Sequence, residues 1–296
     1  MPTDTRALIG AHMPTAGGVQ NALTSGKAIG CDVVQLFTAS PRQWRSPLLK
    51  PEVVAAFDTA RTDCATAFTI AHDSYLINLA APPGSDVLEK SHVAFRGELD
   101  RAEELGLDYL VSHPGAHGGE GVEIGIARLV ESLDKIHAET PGYKVKVALE
   151  TTAGQGNYLG DKFEQIAEMI GRAKDPDRLV VCMDTCHLFA SGYDLRTADV
   201  YEETIALFDK IVGLDKLAVI HANDSQKPFG SRVDRHAHIG EGEIGLTGFW
   251  LLMNDQRLRG RPVIVETPDS DTMHEVNVKR LRDLVGAAAP VPSALG

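Results

Sequence analysis

Eight short apolar runs recur along the chain, and longer segments of mixed polarity separate them. Such runs are typical of strands that are buried on both faces of a parallel sheet. Most of the runs end at or next to a histidine, aspartate or glutamate. They are ALIGAH (7–12), VVQLF (33–37), AFTIAHD (67–73), DYLVSHPG (108–115), VKVALE (145–150), LVVCMDTCH (179–187), LAVIHAND (217–224) and VIVETP (263–268).

The segments between the runs have apolar residues spaced near the helical period, which predicts helices. Pro51 suits the first turn of one helix, and Asp161 with Glu164 predicts a capping box at another. The predicted helices cover 51–64, 86–105, 121–138, 161–174, 198–213, 245–256 and 272–287. This alternation of strand and helix predicts the α/β class and a single (β/α)₈ TIM barrel over 1–285. The small-residue, proline-rich tail over 286–296 is predicted to be poorly ordered.

Length, charge and cysteine content agree with the predicted fold and argue against a membrane-spanning protein and a generally basic nucleic-acid binder. The 296 residues are compatible with one barrel of about 250 residues plus insertions. We find no apolar run of about 18 residues and no signal-peptide pattern, and therefore expect a cytoplasmic protein that does not cross a membrane. A net charge of −12 argues against a generally basic nucleic-acid binder, but allows binding through a local face. The four cysteines, Cys31, Cys64, Cys182 and Cys186, are expected to be reduced and buried.

Chemistry is expected where the strands end, because the carboxyl ends of barrel strands meet on one face. Five histidines and four carboxylates lie at those ends or in the long loop after the seventh run. Carboxylates gathered in one pocket repel one another unless a cation is bound. Mixed imidazole and carboxylate ligands suit zinc, with manganese or iron as alternatives. The predicted metal ligands are His72, His113, Glu150, Asp184, His187, His221, Asp234, His236 and Glu266.

Several long stretches of the sequence also carry a family resemblance. They are HDSYLINLA (72–80), HPG (113–115), LETTAGQGNYLG (149–160), DTCHLFASGYDLRT (184–197), HANDS (221–225), FGSRVDRHAHIGEGEIG (229–245) and VETP (265–268). Through them the chain closely resembles the endonuclease IV family of zinc-dependent apurinic/apyrimidinic endonucleases over about residues 7–285. The resemblance implies a TIM barrel that holds three metal ions in a crater facing DNA.

The resemblance also assigns the nine ligands to three zinc ions per chain, with Mn²⁺ or Fe²⁺ as alternatives at some sites. It implies that His72 and His113 hold the first ion and that Glu150 bridges it to the second. The second ion's remaining ligands are then Asp184, His221 and Glu266. The third ion's ligands are His187, Asp234 and His236. A trinuclear centre suits phosphodiester hydrolysis, since metal-bound water loses its proton near neutral pH. Glu150 and Glu266 are the carboxylates expected to orient the attacking hydroxide, and no protein nucleophile is required.

DNA contacts are expected in two loops. Arg42 and Gln43, in the PRQWR segment (41–45), resemble family residues that enter the minor groove beside the lesion. Tyr75 and Leu76 resemble a second wedge, and such wedges help to extrude an abasic nucleotide. Trp44 can equally be explained by packing of the loop against the barrel. The cations expected near phosphates are Arg45, Arg196, Lys227, Arg232 and Arg235. Ser40 and Pro14 depart from the residues that are usual in the family.

The function expected from the resemblance is cleavage of duplex DNA on the 5′ side of an abasic site. The products would be a 3′-hydroxyl and a 5′-deoxyribose phosphate, and removal of 3′ blocking groups is also implied. We expect a monomer that associates with the nucleoid during repair. The alternatives are a metal-dependent sugar isomerase or epimerase on a related barrel and a catalytically silent DNA-binding protein. The third ion site and the PRQWR loop disfavour the isomerase, and the intact ligand set disfavours the silent protein.

Two further motifs are interpreted as coincidental. GEGEIG (240–245) matches a dinucleotide-binding pattern, but it follows a loop and its glutamates would repel a pyrophosphate. Asn223-Asp224-Ser225 matches a glycosylation acceptor, but it lies at the end of a predicted barrel strand.

Overall fold

Eight parallel strands close into a barrel in this computed structural model, which describes residues 7–290. Each strand pairs with the next barrel strand along the chain, and the last closes on the first. The predicted TIM barrel is therefore confirmed. The barrel strands are β1 (Leu8–His12), β2 (Val33–Phe37), β3 (Phe68–His72), β4 (Tyr109–Ser112), β5 (Lys146–Glu150), β6 (Leu179–Asp184), β7 (Leu217–His221) and β10 (Pro262–Val265).

Nine α-helices in the described part of the chain surround the barrel. They are α1 (Gln20–Ala28), α2 (Pro51–Cys64), α3 (Asp86–Glu104), α4 (Val122–Glu139), α5 (Phe163–Arg172), α6 (Thr185–Ser191), α7 (Ala198–Ile211), α8 (Gly245–Asn254) and α9 (Ser270–Leu284). The seven predicted helices are present with ends shifted by at most a few residues, whereas α1 and α6 were not predicted.

The predicted capping box at Asp161 is wrong. Helix α5 begins at Phe163, after a Lys162 whose side chain makes no capping bond. The Asp161 carboxylate instead accepts a hydrogen bond from Gln165 Nε2 at 2.8 Å and lies 3.2 Å from an Arg232 nitrogen. The Asp161 side chain therefore forms a tertiary ion pair instead of the helix cap that the local sequence pattern predicts.

The core has two layers, as expected for a barrel inside a ring of helices. Side chains such as Val33, Ile70 and Val219 fill the barrel interior, and a larger cluster packs between strands and helices. Gly10 permits the close approach of β1 and β2, because a Cβ there would lie 1.8 Å from Val33 O. The barrel is therefore a packed interior, and its functional surface has to lie at one end.

The long connection after β7 is organised by a buried carboxylate. Strands β8 (Asp224–Ser225) and β9 (His236–Ala237) pair antiparallel across its base. Asp224 accepts hydrogen bonds from the amides of Gly240, Gly242 and Ile244 at 2.9–3.0 Å. The amides of the GEGEIG segment are thus used inside the protein, which agrees with rejection of a dinucleotide site. Asn223 is fully buried in the fold, which agrees with rejection of the glycosylation motif.

Three further expectations concern the class of protein. No helix within residues 7–290 is both long and apolar enough to span a membrane. All four cysteines are buried and unpaired, as expected. Within the predicted tail, residues 287–290 form no helix or strand, and residues 291–296 lie outside the described residues. Residues 1–6, at the start of the segment in which no signal peptide is expected, also lie outside them. The boundary of the barrel domain at 285 stays a prediction.

Candidate metal centre

The carboxyl end of the barrel brings the nine predicted ligands into one cluster. His72, Glu150, Asp184 and His221 are the last residues of their strands. His113 and Glu266 follow directly after β4 and β10, His187 lies in the first turn of α6, and Asp234 and His236 lie at β9. Residues far apart in the sequence therefore meet because parallel barrel strands end on the same face.

The ligand atoms divide into three adjoining groups, within each of which they lie no more than 4.8 Å apart. The first group is His72, His113 and Glu150; the second is Glu150, Asp184, His221 and Glu266; the third is His187, Asp234 and His236. These groups coincide with the three ligand sets that the family resemblance implies. Two further combinations, which include Cys182 or Cys186, overlap with the second and third groups.

Glu150 connects the first two groups through its two carboxylate oxygens. Its Oε2 lies 3.2 Å from His72 Nε2 and 3.1 Å from His113 Nε2, while its Oε1 lies 3.1 Å from His221 Nδ1. Ligand atoms arranged tetrahedrally about 2.0–2.2 Å from a zinc ion lie about 3.3–3.6 Å from one another. The observed separations are close to that range, so the residues fit divalent ions on both sides of this carboxylate.

Asp184 and Asp234 belong to the second and third groups. Asp234 Oδ2 lies 3.2 Å from His187 Nε2, and its Oδ1 lies 3.2 Å from His236 Nε2. Asp184 Oδ1 accepts the amide hydrogen of His187 at 2.8 Å, so Asp184 also caps α6. Its Oδ2 lies 3.7 Å from His236 Nε2 and 3.9 Å from His221 Nδ1, between the second and third groups.

Backbone carbonyls orient three of the imidazoles. The Nδ1 atoms of His72, His187 and His236 lie 2.9, 2.8 and 3.2 Å from the carbonyl oxygens of Asp73, Thr151 and Glu266. A carbonyl only accepts hydrogen bonds, so Nδ1 carries the proton and Nε2 is available as a ligand. His236 Nε2 is buried and faces the carboxylate oxygen Oδ1 of Asp234 at 3.2 Å. Imidazole nitrogens and carboxylate oxygens that converge in this way suit a divalent cation.

Charge compensation in the cluster is visible in the pKa values. Burial raises the pKa of Glu150, but His113 and His221 outweigh this and hold it well below its ordinary range. Burial lowers the pKa of His72, but the hydrogen bond and charge of Glu150 raise it to about 9. Burial likewise lowers the pKa of His236, and Asp184 and Asp234 raise it to about 9. Protons on the histidines thus balance the carboxylates in the protein alone, and divalent cations would displace them.

Two buried side-chain amides that no sequence motif indicates, those of Asn223 and Gln35, hold the ligands in place. Asn223 Nδ2 donates to Asp184 Oδ2 at 2.7 Å, and Asn223 Oδ1 accepts from the amide of Glu266 at 2.8 Å. Gln35 lies between His221 and Glu266 and is also fully buried. A polar residue in the middle of the apolar run VVQLF (33–37) was the signal that could have identified Gln35.

The two predicted DNA-contacting loops follow the neighbouring strands β2 and β3 and are joined to each other. Ser74 Oγ donates to Pro41 O at 2.8 Å and thereby ties the loop after β3 to the loop after β2. Tyr75 is 66% exposed although its ring lies 5.9 Å from that of His72. Arg42 and Gln43 are exposed, and Leu76 is half-buried. Trp44 packs against the core, as the packing interpretation predicts.

A buried ion pair supports the start of the loop after β2. Thr38 follows directly after β2, and its hydroxyl donates to Glu98 Oε2 at 2.5 Å and accepts from Arg101 Nε at 2.9 Å. Glu98 and Arg101, both on α3, are 2.9 Å apart. All three side chains are buried, so the loop that carries Arg42 begins from a fixed point.

Two of the expected phosphate contacts are already engaged within the protein. Arg232 Nε donates to Gly154 O at 2.9 Å, and its guanidinium pairs with Asp161. Arg196 pairs with Asp194 at 2.7 Å and lies over the rings of Phe189 and Phe229. A phosphate would have to compete with these partners, so both contacts remain predictions.

Comparison with known proteins supports the family resemblance. The family described as Xylose isomerase-like TIM barrel matches residues 23–284. A probable endonuclease 4 of Geotalea daltonii is 47% identical over 279 residues, covering 94% of this chain and 98% of that protein. A probable endonuclease 4 of Chloroflexus aggregans is 47% identical over 282 residues, covering 95% of this chain and 98% of that protein.

Solved structures agree with this result. The crystal structure of endonuclease IV from Thermus thermophilus superposes with a TM-score of 0.84 at 34% identity, covering 95% of this chain and 99% of that one. A D-tagatose 3-epimerase-like protein has a TM-score of 0.70 at 17% identity, covering 93% and 96%, which shows a shared fold alone. On the extent of these matches and on its motifs, the chain belongs to the endonuclease IV family of TIM-barrel proteins.

Proposed function

We propose that this protein is a metal-dependent DNA-repair endonuclease that hydrolyses the phosphodiester 5′ to abasic sites in duplex DNA. The products would be a 3′-hydroxyl and a 5′-deoxyribose phosphate, and 3′ blocking groups would be removed at the same site. The observation that carries the proposal is the collection of nine imidazole and carboxylate ligands into three adjoining groups at the carboxyl end of the barrel. We further propose that the enzyme acts as a cytoplasmic monomer.

Three divalent cations, one for each ligand group, are part of the proposal. Zinc suits the mixture of imidazole and carboxylate ligands, with Mn²⁺ or Fe²⁺ as alternatives. When bound, such ions neutralise charge on a phosphate and provide a strong nucleophile at neutral pH. The support from this chain is the convergence of His187, Asp234 and His236 in one group and the way Glu150 directs one oxygen to each of two groups.

Glu150 and Glu266 are the proposed catalytic carboxylates. Glu150 is 1% exposed and belongs to both the first and the second ligand group, so it can fix the position of one group relative to the other. The Glu266 side chain is 17% exposed, and its Oε2 lies 3.0 Å from His221 Nδ1. It borders the cavity above the ligands, where it can orient an attacking water against the phosphate.

Tyr75 and the neighbouring loop provide the proposed means of lesion recognition. Cavities of about 430 and 410 Å³ lie beside Tyr75, and His72, His113, His187 and Asp234 border both. A side chain inserted between base pairs can unstack and bend the duplex. An abasic nucleotide is extruded at little cost because it has no base to unstack. The duplex would therefore present its sugar and phosphate to the ligand groups.

The test is cleavage of a 5′-labelled duplex that carries one abasic site. We expect one labelled product that ends at the lesion and that a DNA polymerase can extend, which shows a 3′-hydroxyl. Treatment with a chelator should stop the reaction, and added zinc should restore it. Absence of cleavage by the metal-loaded protein, or cleavage that a chelator does not affect, would contradict the proposal.

The alternative function is epimerisation of a sugar. The barrel of this chain is shared with a D-tagatose 3-epimerase-like protein, but at 17% identity that likeness concerns the fold alone. The third ligand group and the paired loops at Ser74 and Pro41 have no use in isomerisation of a small sugar. Turnover of ketohexoses by the metal-loaded protein, without cleavage of abasic DNA, would favour this alternative.

A further inference from the structure

Gln35 is a polar residue in the interior of an otherwise apolar barrel strand. It lies in the middle of β2, where it pairs with His12 of β1 and Ile70 of β3, and it is fully buried. Burying an amide in a barrel interior costs free energy unless its hydrogen bonds are made. The partners that satisfy this amide are therefore informative about its role.

Those partners are two of the ligands of the second group. Gln35 Oε1 lies 2.8 Å from His221 Nε2, and Gln35 Nε2 donates to Glu266 Oε1 at 2.6 Å. The same nitrogen lies 3.0 Å from His12 Nδ1. The reverse orientation of the amide would place its oxygen against the Glu266 carboxylate, so the chemistry of the neighbours determines this orientation.

The amide oxygen also selects the tautomer of His221. Because that oxygen only accepts, His221 Nε2 must carry a proton, and Nδ1 is left to act as a ligand. Nδ1 faces Glu150 Oε1 at 3.1 Å and Glu266 Oε2 at 3.0 Å. His72, His187 and His236 are oriented by backbone carbonyls, which no substitution removes. His221 differs from them, since a replaceable side chain orients it.

We propose that Gln35 is the positioning residue of the second ion site, formed by Glu150, Asp184, His221 and Glu266. It fixes the tautomer of one ligand and the direction of another with a single amide, and so sets the affinity of that site. The inference rests on the proposed metal-dependent function. Loss of partners of this kind weakens metal binding by about 10- to 100-fold.

The test compares Gln35→Met, which keeps the length of the side chain, with Gln35→Ala and with the control Thr69→Val. Thr69 is buried on the adjacent strand β3, and within residues 7–290 its hydroxyl makes no hydrogen bond to a ligand side chain. Zinc affinity is measured by competition with a chromophoric chelator. We expect one of three ions to bind about 10- to 100-fold more weakly in both Gln35 variants, and Thr69→Val to bind all three like the wild type.

A second readout detects the orientation of His221 itself. In the zinc-loaded wild type, the Nε2–H proton held by Gln35 should give a slowly exchanging imidazole NMR signal, which Gln35→Met should lose. Gln35→Met that keeps this signal and wild-type affinity at all three sites would overturn the inference and leave the proposed function intact. Equal weakening of all three sites would also overturn it. Wild-type protein that binds no zinc would instead overturn the proposed function, and this inference with it.

Discussion

Replacement of Glu150 by Gln removes one negative charge from the centre of the ligand cluster and hardly changes the volume of the side chain. The wild-type carboxylate is buried and lies within 3.2 Å of His72, His113 and His221. A glutamine can direct an oxygen to one group, but its NH₂ would then face the other. Glu150→Gln should therefore weaken the first two ion sites together.

The magnitude follows from the burial of this carboxylate. Removing one partner from a buried charge pair costs about 3–5 kcal/mol. Since each 1.4 kcal/mol is a factor of ten, binding of the shared ions should weaken by about 100- to 4000-fold. The cleavage rate at limiting zinc should fall at least as far, because the proposed chemistry depends on those ions. The fold should persist, since the hydrophobic layers of the barrel do not include this side chain.

The assay measures single-turnover cleavage of abasic duplex DNA together with zinc content and the circular dichroism spectrum. Glu243→Gln is the matched control, because it makes the same charge change at an exposed position in the loop after β7. We expect wild-type rates from Glu243→Gln, and a folded but nearly inactive Glu150→Gln with fewer bound ions. A Glu150→Gln variant that cleaves at close to the wild-type rate would refute the bridging role.

Three other predictions concern DNA contact, pH and salt. Arg42→Ala should slow cleavage far less than Glu150→Gln, because DNA distortion contributes a few kcal/mol at most. If Arg42→Ala leaves the DNA affinity and the cleavage rate unchanged, Arg42 has no role in lesion recognition. In the chelated protein, His72 and His236 have pKa values of about 9, raised above the ordinary 6.5. Their stabilising effect is therefore complete below about pH 6.5 and lost toward pH 9, so the thermal midpoint should fall over that interval. The zinc-loaded protein should show no such fall, and identical profiles would count against displacement of protons by metal. DNA affinity of the loaded protein should decrease with salt at a slope of about −0.9 per phosphate contact. The chelated form should bind much more weakly, because three ions would offset half of the net charge of −12; equal affinity of the two forms would mean that basic side chains alone bind DNA.

The positions of the ligands could be predicted from the sequence because the carboxyl ends of all barrel strands lie on one face of the barrel. His72, Glu150, Asp184 and His221 each close an apolar run, and the fold needs no further information to bring them together. Helix α6 was missed because its seven residues lie directly after a strand and are all buried, so they show no amphipathic period.

Contacts between side chains from different strands could not be predicted in the same way. The bond from Ser74 to Pro41 and the ion pair of Arg232 with Asp161 join loops whose relative positions depend on the whole barrel. The sequence therefore predicts Arg232 near a phosphate and Asp161 in a capping box, and neither pattern indicates their ion pair. Gln35 was overlooked for a related reason, since its partners come from two strands on the far side of β1.

The central claim is that three ions held by this cluster perform the cleavage. The most direct test removes all metal with a chelator, then adds zinc stepwise and records cleavage of abasic DNA beside the number of ions bound. We expect no cleavage by the stripped protein and full activity only as the third ion binds. Full activity in the stripped protein, or after one ion per chain, would contradict it.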